Sequence, residues 1–467
     1  MLEQPLFSKW SAFGIVAGLI WLGTASGLGF LASLPALTLG SLMLGSGVSQ
    51  LLWPGDQRAT QIGALAGVVG AVLALPYALG VGLGSALVLL AAALGAAWGA
   101  GRMAIQLEPH YEAVPIPKVS GALPAKVAID EAILGFEQFG PAGYPLDGTL
   151  ERVVGEVDAL HDQLSEQGLI EKPDAYHVAP PALTDPEIRK GQAAGHEIEI
   201  LRFESGYSPP INEPGRERWL GYDASRDGYA YVMRHQGAPR PWMICTNGYR
   251  MGHAAIDAGL FARFFDRLGL NVLIPVLPLH GPRKMSWHSG TGFLGIDVMD
   301  TLHGEAQAMW DMRRLLSWVQ AQDAPRVGAI GLSLGGYTTA LFASVTEGLS
   351  CAIPGIPLSD MTRVVARHGA AHQFQYAKTV GFDLDRVREV MRVVSPLALY
   401  PKVPLEGRML FGATADRLVT PDHVRDLWRH WEEPEIVWYH GGHVTFRGEK
   451  DVWAGVDRTI REAGLTH

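Results

Sequence analysis

The residues best suited to chemistry fall in three short runs. Residues 327–337 read Val-Gly-Ala-Ile-Gly-Leu-Ser-Leu-Gly-Gly-Tyr, an apolar stretch that ends on Ser333 among glycines. Later, Asp416 stands in Gly412-Ala413-Thr414-Ala415-Asp416-Arg417, and His443 closes His440-Gly441-Gly442-His443. A serine hydroxyl is a poor nucleophile at neutral pH; it needs a general base, and the base needs a carboxylate to orient it. Together the three side chains would support attack on an acyl carbonyl, followed by hydrolysis of the covalent intermediate.

Each residue needs an element to hold it. Residues 326–330 read as a short buried strand and residues 337–343 as a helix, which puts Ser333 at the apex of a strand–turn–helix. Gly331 and Gly335 suit such a turn, because a Cβ would block close packing of strand on helix. This is the form of a nucleophile elbow; the plainer alternative is a glycine-rich turn with a bystander serine. Asp416 follows an apolar strand at 409–411, and His443 follows another at 436–439. Asp422 competes as the acid, but it adjoins Pro421 where a helix should begin, and capping accounts for it. His440 competes as the base. His443 is preferred because the two glycines before it let the loop curl back toward the serine.

An oxyanion intermediate needs backbone N–H donors. Leu334, directly after the serine, supplies one. The loop Thr246-Asn247-Gly248-Tyr249-Arg250 follows an apolar strand and offers Tyr249 as the second, or it is an ordinary glycine turn. His280 and Arg283, in Leu279-His280-Gly281-Pro282-Arg283, are possible substrate contacts, or they serve the structure of their loop.

From residue 196 onward short apolar strands alternate with helical patterns. Strands are predicted at 198–203, 229–235, 242–246, 271–277, 326–330, 350–356, 408–411 and 436–439. Helices are predicted at 254–268, 302–320, after the serine, 423–430 and 452–463. Such alternation implies a mostly parallel sheet covered by helices on both faces. Residues 361–397 interrupt it with an apolar insertion that is either a lid or a helical cover for the sheet.

Over about residues 196–467 the chain resembles the α/β-hydrolase superfamily, in the order serine, acid, histidine carried by Ser333, Asp416 and His443. It also looks like a group of uncharacterised bacterial membrane-linked hydrolases. The resemblance implies an α/β-hydrolase fold and a serine-dependent mechanism. In many relatives a His-Gly pair opens the oxyanion loop; here Asn247 stands in the histidine position.

The first 105 residues differ in composition from the rest. They carry only five charged side chains, Glu3, Lys9, Asp56, Arg58 and Arg102, amid runs of Leu, Ala, Gly and Val. Two apolar blocks, 10–53 and 61–100, are each about twice the ~20 residues of one membrane crossing. Breaks near 27–35 and 76–84 predict four transmembrane helices in two hairpins. Lys9, Arg58 and Arg102 then share one side, so both ends are expected in the cytoplasm. Glycines at four-residue spacing, Gly14/Gly18, Gly63/Gly67, Gly80/Gly84 and Gly95/Gly99, predict close helix packing. No ionisable residue lies within the spans, which argues for an anchor over a transporter.

Residues 106–195 form a connector. Within it Leu150, Val153, Val154, Val157, Leu160 and Leu164 follow helical spacing. The net charge of −9 belongs mainly to the soluble part, and no basic block suggests nucleic-acid binding. Cys245 and Cys351 lie in apolar strand-like runs and read as buried thiols of a reducing compartment.

The expected protein is therefore an integral inner-membrane serine hydrolase of carboxylic esters, with its catalytic domain in the cytoplasm. Lipid esters and the bilayer are its expected partners, and neither metal nor cofactor is implied. Thioester or peptide hydrolysis by the same triad, and a non-catalytic membrane scaffold, are the alternatives.

Overall fold

Segments rich in Val, Ile, Leu and Ala between turn residues become strands β1 (Glu187–Ala193), β2 (His196–Glu204), β3 (Asp227–Met233), β4 (Trp242–Thr246), β5 (Asn271–Val276), β6 (Val327–Leu332), β7 (Cys351–Gly355), β8 (Met409–Ala413) and β9 (Glu435–Tyr439). The computed structural model describes residues 8–139, 149–369 and 371–466. The strands form one sheet in the order β1-β2-β3-β5-β4-β6-β7-β8-β9. Strands β1 to β3 pair antiparallel, as do β3 and β5, and pairing turns parallel from β5 through β4, β6 and β7 to β8. The central strands β4, β5, β6 and β7 are buried at every position, as expected for strands covered on both faces. This is an α/β-hydrolase-like fold.

Strand β1 escapes the sequence reading because Glu-Ile-Arg-Lys-Gly-Gln-Ala shows no apolar alternation. It is the edge of the sheet, largely exposed, and its charges discourage pairing with another chain.

The chain folds as two compact units. One comprises Gly143–Gly412, His423–Val437 and Lys450–His467; the other comprises Met1–Ala142 with two later loops, Ala413–Asp422 and Trp438–Glu449. The first unit holds most of the sheet and the elbow. The second holds helices α1 (Ser11–Ala25), α2 (Phe30–Leu52), α3 (Gln57–Leu107) and α4 (Leu123–Phe139), together with the loops bearing Asp416 and His443.

Two helices, Phe30–Leu52 and Gln57–Leu107, are long and apolar enough to cross a membrane. The breaks fall at residues 26–29, at 53–56, and at Gly82, whose φ of 79° interrupts α3. Gly82 leaves residues 57–81 and 83–107, 25 on each side. The expected break at 76–84 thus narrows to one residue; Pro76 stays inside the helix. Close approach is seen at five of the expected positions, Gly14, Gly18, Gly63, Gly67 and Gly99. A Cβ at Gly18 would lie 2.7 Å from the Gly40 carbonyl, and one at Gly67 the same distance from the Ala93 carbonyl. Gly14 and Gly63 are also in contact, whereas Gly84 faces open space. Leu31, Val72, Leu79 and Leu83 are exposed on the outside of this bundle.

Candidate active site

Strand β6 ends at Leu332 and a helix begins at Leu334, so the turn rests on Ser333 alone. Its backbone sits at φ 58° and ψ −118°, a conformation that side-chain-bearing residues rarely adopt. The flanking glycines are sterically required. A Cβ at Gly331 would strike the Gly335 carbonyl, and one at Gly335 would strike the carbonyls of Thr246 and Asn247. Between Gly331 and Val345 every residue is buried except Ser333, which is partly exposed.

The loop after β4 lies against this turn. A Cβ at Gly248 would come 3.5 Å from the Ser333 Cβ and 3.3 Å from the Leu332 carbonyl. Tyr249 follows, partly exposed, with the Arg250 guanidinium 4.7 Å from its ring. Leu334 is the first residue of its helix, where backbone N–H groups lack helical partners.

His280 and Arg283 turn inward. His280 is 1 % exposed, with Nδ1 against the Pro278 carbonyl at 2.8 Å, and burial pushes its pKa down to about 4. Arg283 is completely buried, paired with Asp311 at 3.0 Å and donating to the carbonyls of Val276 and Ser225. The guanidinium is engaged in holding its loop to the sheet, the structural alternative open to Arg283 in the sequence.

The unit that contains the bundle carries the predicted acid and base. The loop after β8 carries Asp416 and the loop after β9 carries His443. Asp416 Oδ2 stands 2.6 Å from His443 Nδ1, with both side chains buried. That contact assigns the proton to Nδ1 and leaves Nε2 as the basic nitrogen. Asp416 Oδ1 accepts the N–H groups of Leu418 and Val419 and is thereby fixed. Burial disfavours the charged imidazole, yet the Asp416 carboxylate and the nearby Asp130 outweigh it and raise the His443 pKa. His440 is engaged elsewhere: its Nδ1 faces Thr414 Oγ1 at 3.1 Å and the Lys118 N–H. Asp422 sits in the first turn of the helix Pro421–His430.

A third carboxylate had no place in the sequence reading. Asp130, on α4, accepts the His443 N–H at 2.7 Å and the Arg417 N–H at 3.2 Å, both through Oδ2. Beside it, Glu131 accepts from Arg417 Nε at 2.7 Å and from Thr60 Oγ1 at 2.5 Å. Arg417 also pairs with Glu108. Burial and the Asp416 charge raise the Asp130 pKa to about 7. The available signal was an acidic pair inside the helical run Val127-Ala128-Ile129-Asp130-Glu131-Ala132, at positions that continue its small-residue face.

No family model matches the chain. Among solved structures it is similar to acetyl xylan esterase 1 from a Thermoanaerobacterium species, at 16% identity and a TM-score of 0.43, covering 62% of this chain and 98% of that one. An acetyl xylan esterase from a Paenibacillus species aligns at 14% identity and a TM-score of 0.44, covering 69% and 97%. In sequence the chain is 41% identical over 360 residues to Uncharacterized protein MT2702 of Mycobacterium tuberculosis strain CDC 1551. It is 40% identical over the same length to Uncharacterized protein Rv2627c of strain H37Rv. Each match covers 76% of this chain and 86% of the mycobacterial protein. The chain belongs to the same protein family as these two mycobacterial proteins.

Proposed function

We propose that the protein is a serine hydrolase of carboxylic esters bearing an apolar acyl group, held at a membrane by its N-terminal helices. Ser333 Oγ attacks the ester carbonyl while His443 Nε2 takes the hydroxyl proton. The same proton passes to the departing alcohol. Asp416 keeps the ring in the Nδ1–H form throughout, and the Leu334 and Tyr249 N–H groups receive the negative charge on the carbonyl oxygen. Water, deprotonated by His443, then splits the acyl-enzyme into acid and free Ser333.

The observation that carries this reading is the buried 2.6 Å contact between Asp416 and His443. A glycine-rich turn alone fits many folds; a histidine fixed at one nitrogen by a clamped carboxylate prepares the other for proton transfer.

The acyl preference draws on a cavity of about 270 Å³ beneath the insertion. Leu150, Ile296, Met361, Phe374, Phe382 and Val387 are among its walls, and no charged side chain lines it among the described residues. The membrane reading draws on the exposed leucines and on the charges near the ends of the apolar helices. Lys9 and Arg102 both lie over the Trp10 ring, at 4.9 and 5.6 Å, and Trp98 packs on Trp10 at 5.3 Å. Tryptophan with basic residues is the usual composition of a membrane–water boundary on the cytoplasmic side. Four crossings would put Lys9, Arg58 and Arg102 on that side together.

A fluorophosphonate probe tests the chemistry. Wild type should label and Ser333→Ala should not; equal labelling of the two would leave a non-catalytic scaffold as the better account. A p-nitrophenyl ester series tests the acyl group. Each added methylene should raise kcat/KM by up to about fourfold until the cavity is full, from ~0.8 kcal/mol per buried methylene. A flat series would remove the lipid preference.

A further inference from the structure

We infer that Asp130 is a positioning residue for His443, joining the helical bundle to the base of the reaction. The inference rests on the serine-hydrolase reading above.

Helix α4 buries two acids among its apolar residues Val127, Ala128 and Ala132. Asp130 and Glu131 are fully buried while Ile129 and Phe136 on the same helix are 43 % and 56 % exposed. A buried carboxylate is costly and persists only where specific groups receive it. Those groups are informative here. One oxygen, Asp130 Oδ2, accepts the backbone N–H of His443 and the backbone N–H of Arg417. Arg417 directly follows Asp416, so a single atom ties together the two loops that carry the acid and the base. The fit leaves no slack: a Cβ at Gly442 would lie 2.7 to 2.9 Å from the Asp130 carboxylate. The neighbouring Glu131 anchors the same loop from the Arg417 side chain and reaches Thr60 at the start of α3. The path from bundle to base is thus Thr60, Glu131, Arg417, Asp130, His443.

Asp130 also acts by charge. The groups facing His443 are Asp416 from the loop after β8 and Asp130 from α4; those facing Asp130 are Asp416, His443 and the Arg417 backbone, with Tyr439 nearby. The Asp130 carboxylate therefore helps hold a proton on the imidazole when it forms. A purely structural residue would not alter that equilibrium once its hydrogen bonds were preserved.

Asp130→Asn separates the two roles, because the carboxamide oxygen can still accept both N–H groups. Rates of p-nitrophenyl butyrate hydrolysis are measured against pH on the full chain in detergent. The acid limb of kcat/KM should move down by about one pH unit, the scale of one neighbouring charge. The plateau kcat should fall by about tenfold with KM unchanged, a fraction of the usual general-base contribution. Gly442→Ala offers a second route, since its methyl displaces the carboxylate, and should lower kcat in the same way. Profiles for both variants that superimpose on wild type would overturn the inference. Ser333→Ala in the same assay keeps the two questions apart: if it hydrolyses the ester as wild type does, the serine-hydrolase reading fails instead.

Discussion

Ser333, the proposed nucleophile, holds a backbone conformation, φ 58°, that its own Cβ resists. Such strain costs of order 1–3 kcal/mol and is relieved by glycine. Ser333→Gly should therefore melt at a higher temperature than Ser333→Ala, by an amount worth about 1 kcal/mol, although both lack activity. Equal melting temperatures would mean that the turn stores no strain. Four buried carboxylates supply a second expectation at this scale. Burial lifts Glu213 and Glu305 to about 8, and Asp257 and Asp130 to about 7. Their ordinary values lie near 4, so between about pH 4 and 8 these four groups hold more protons in the folded chain than in the unfolded one, while buried His177, His280 and His303, lowered to about 4, hold fewer up to about pH 6.5. Above about pH 6.5, where the histidines no longer oppose the acids, stability should fall as pH rises to about 8. Glu305→Gln keeps an acceptor for Thr338, which donates to Glu305 at 2.9 Å, and should flatten part of that decline in thermal melts taken from pH 5 to 8. An unchanged slope would count against a raised pKa at Glu305. The turn at Ser333 and the loops that carry Asp416 and His443 were legible because glycines and apolar strands frame them. Asp130 was not, because an acid in a connector reads as a surface residue until a tertiary partner claims it.

At the level of elements, periodicity served well where a segment is apolar on one side or on both. The strands of the sheet and the helix Thr149–Glu166 were read on that ground. Strand β1 and α4 were missed for opposite reasons: β1 has almost nothing to bury, and α4 buries its acids. The insertion resolves into the helices Met361–His368, Ala371–Thr379 and Leu384–Val390. Val387 on the last of these lines the cavity, so Val387→Trp should fill it. Octanoyl ester turnover should drop by about tenfold or more while acetyl ester turnover is retained; parallel losses on both would indicate general damage. Within the bundle, Gly67→Leu should prevent close packing of the two halves of α3, seen as loss of monodisperse protein in detergent. The cost is well above the ~1–3 kcal/mol of ordinary overpacking, since backbone lies 2.7 Å from the missing Cβ.

For the molecule as a whole, sequence order and spatial grouping disagree. Charge depletion marks the apolar N-terminus in the sequence, over residues 1–105. What the order of residues does not reveal is that Ala413–Asp422 and Trp438–Glu449 fold with that region. Residues 143–467 expressed alone should give a protein that fails to label with a fluorophosphonate, even with Ser333 present. Robust labelling of that fragment would show that the acid and base loops need no support from the helices.

The pairing of Asp130 with the His443 loop also bears on descent. A membrane anchor that merely tethers can be exchanged between genes without harm to the enzyme it carries. Here the helix before residue 140 and the loops after residue 412 must change in step, because an alteration in one meets a buried carboxylate in the other. A substitution at either place should therefore be tolerated only with a matching one at the other.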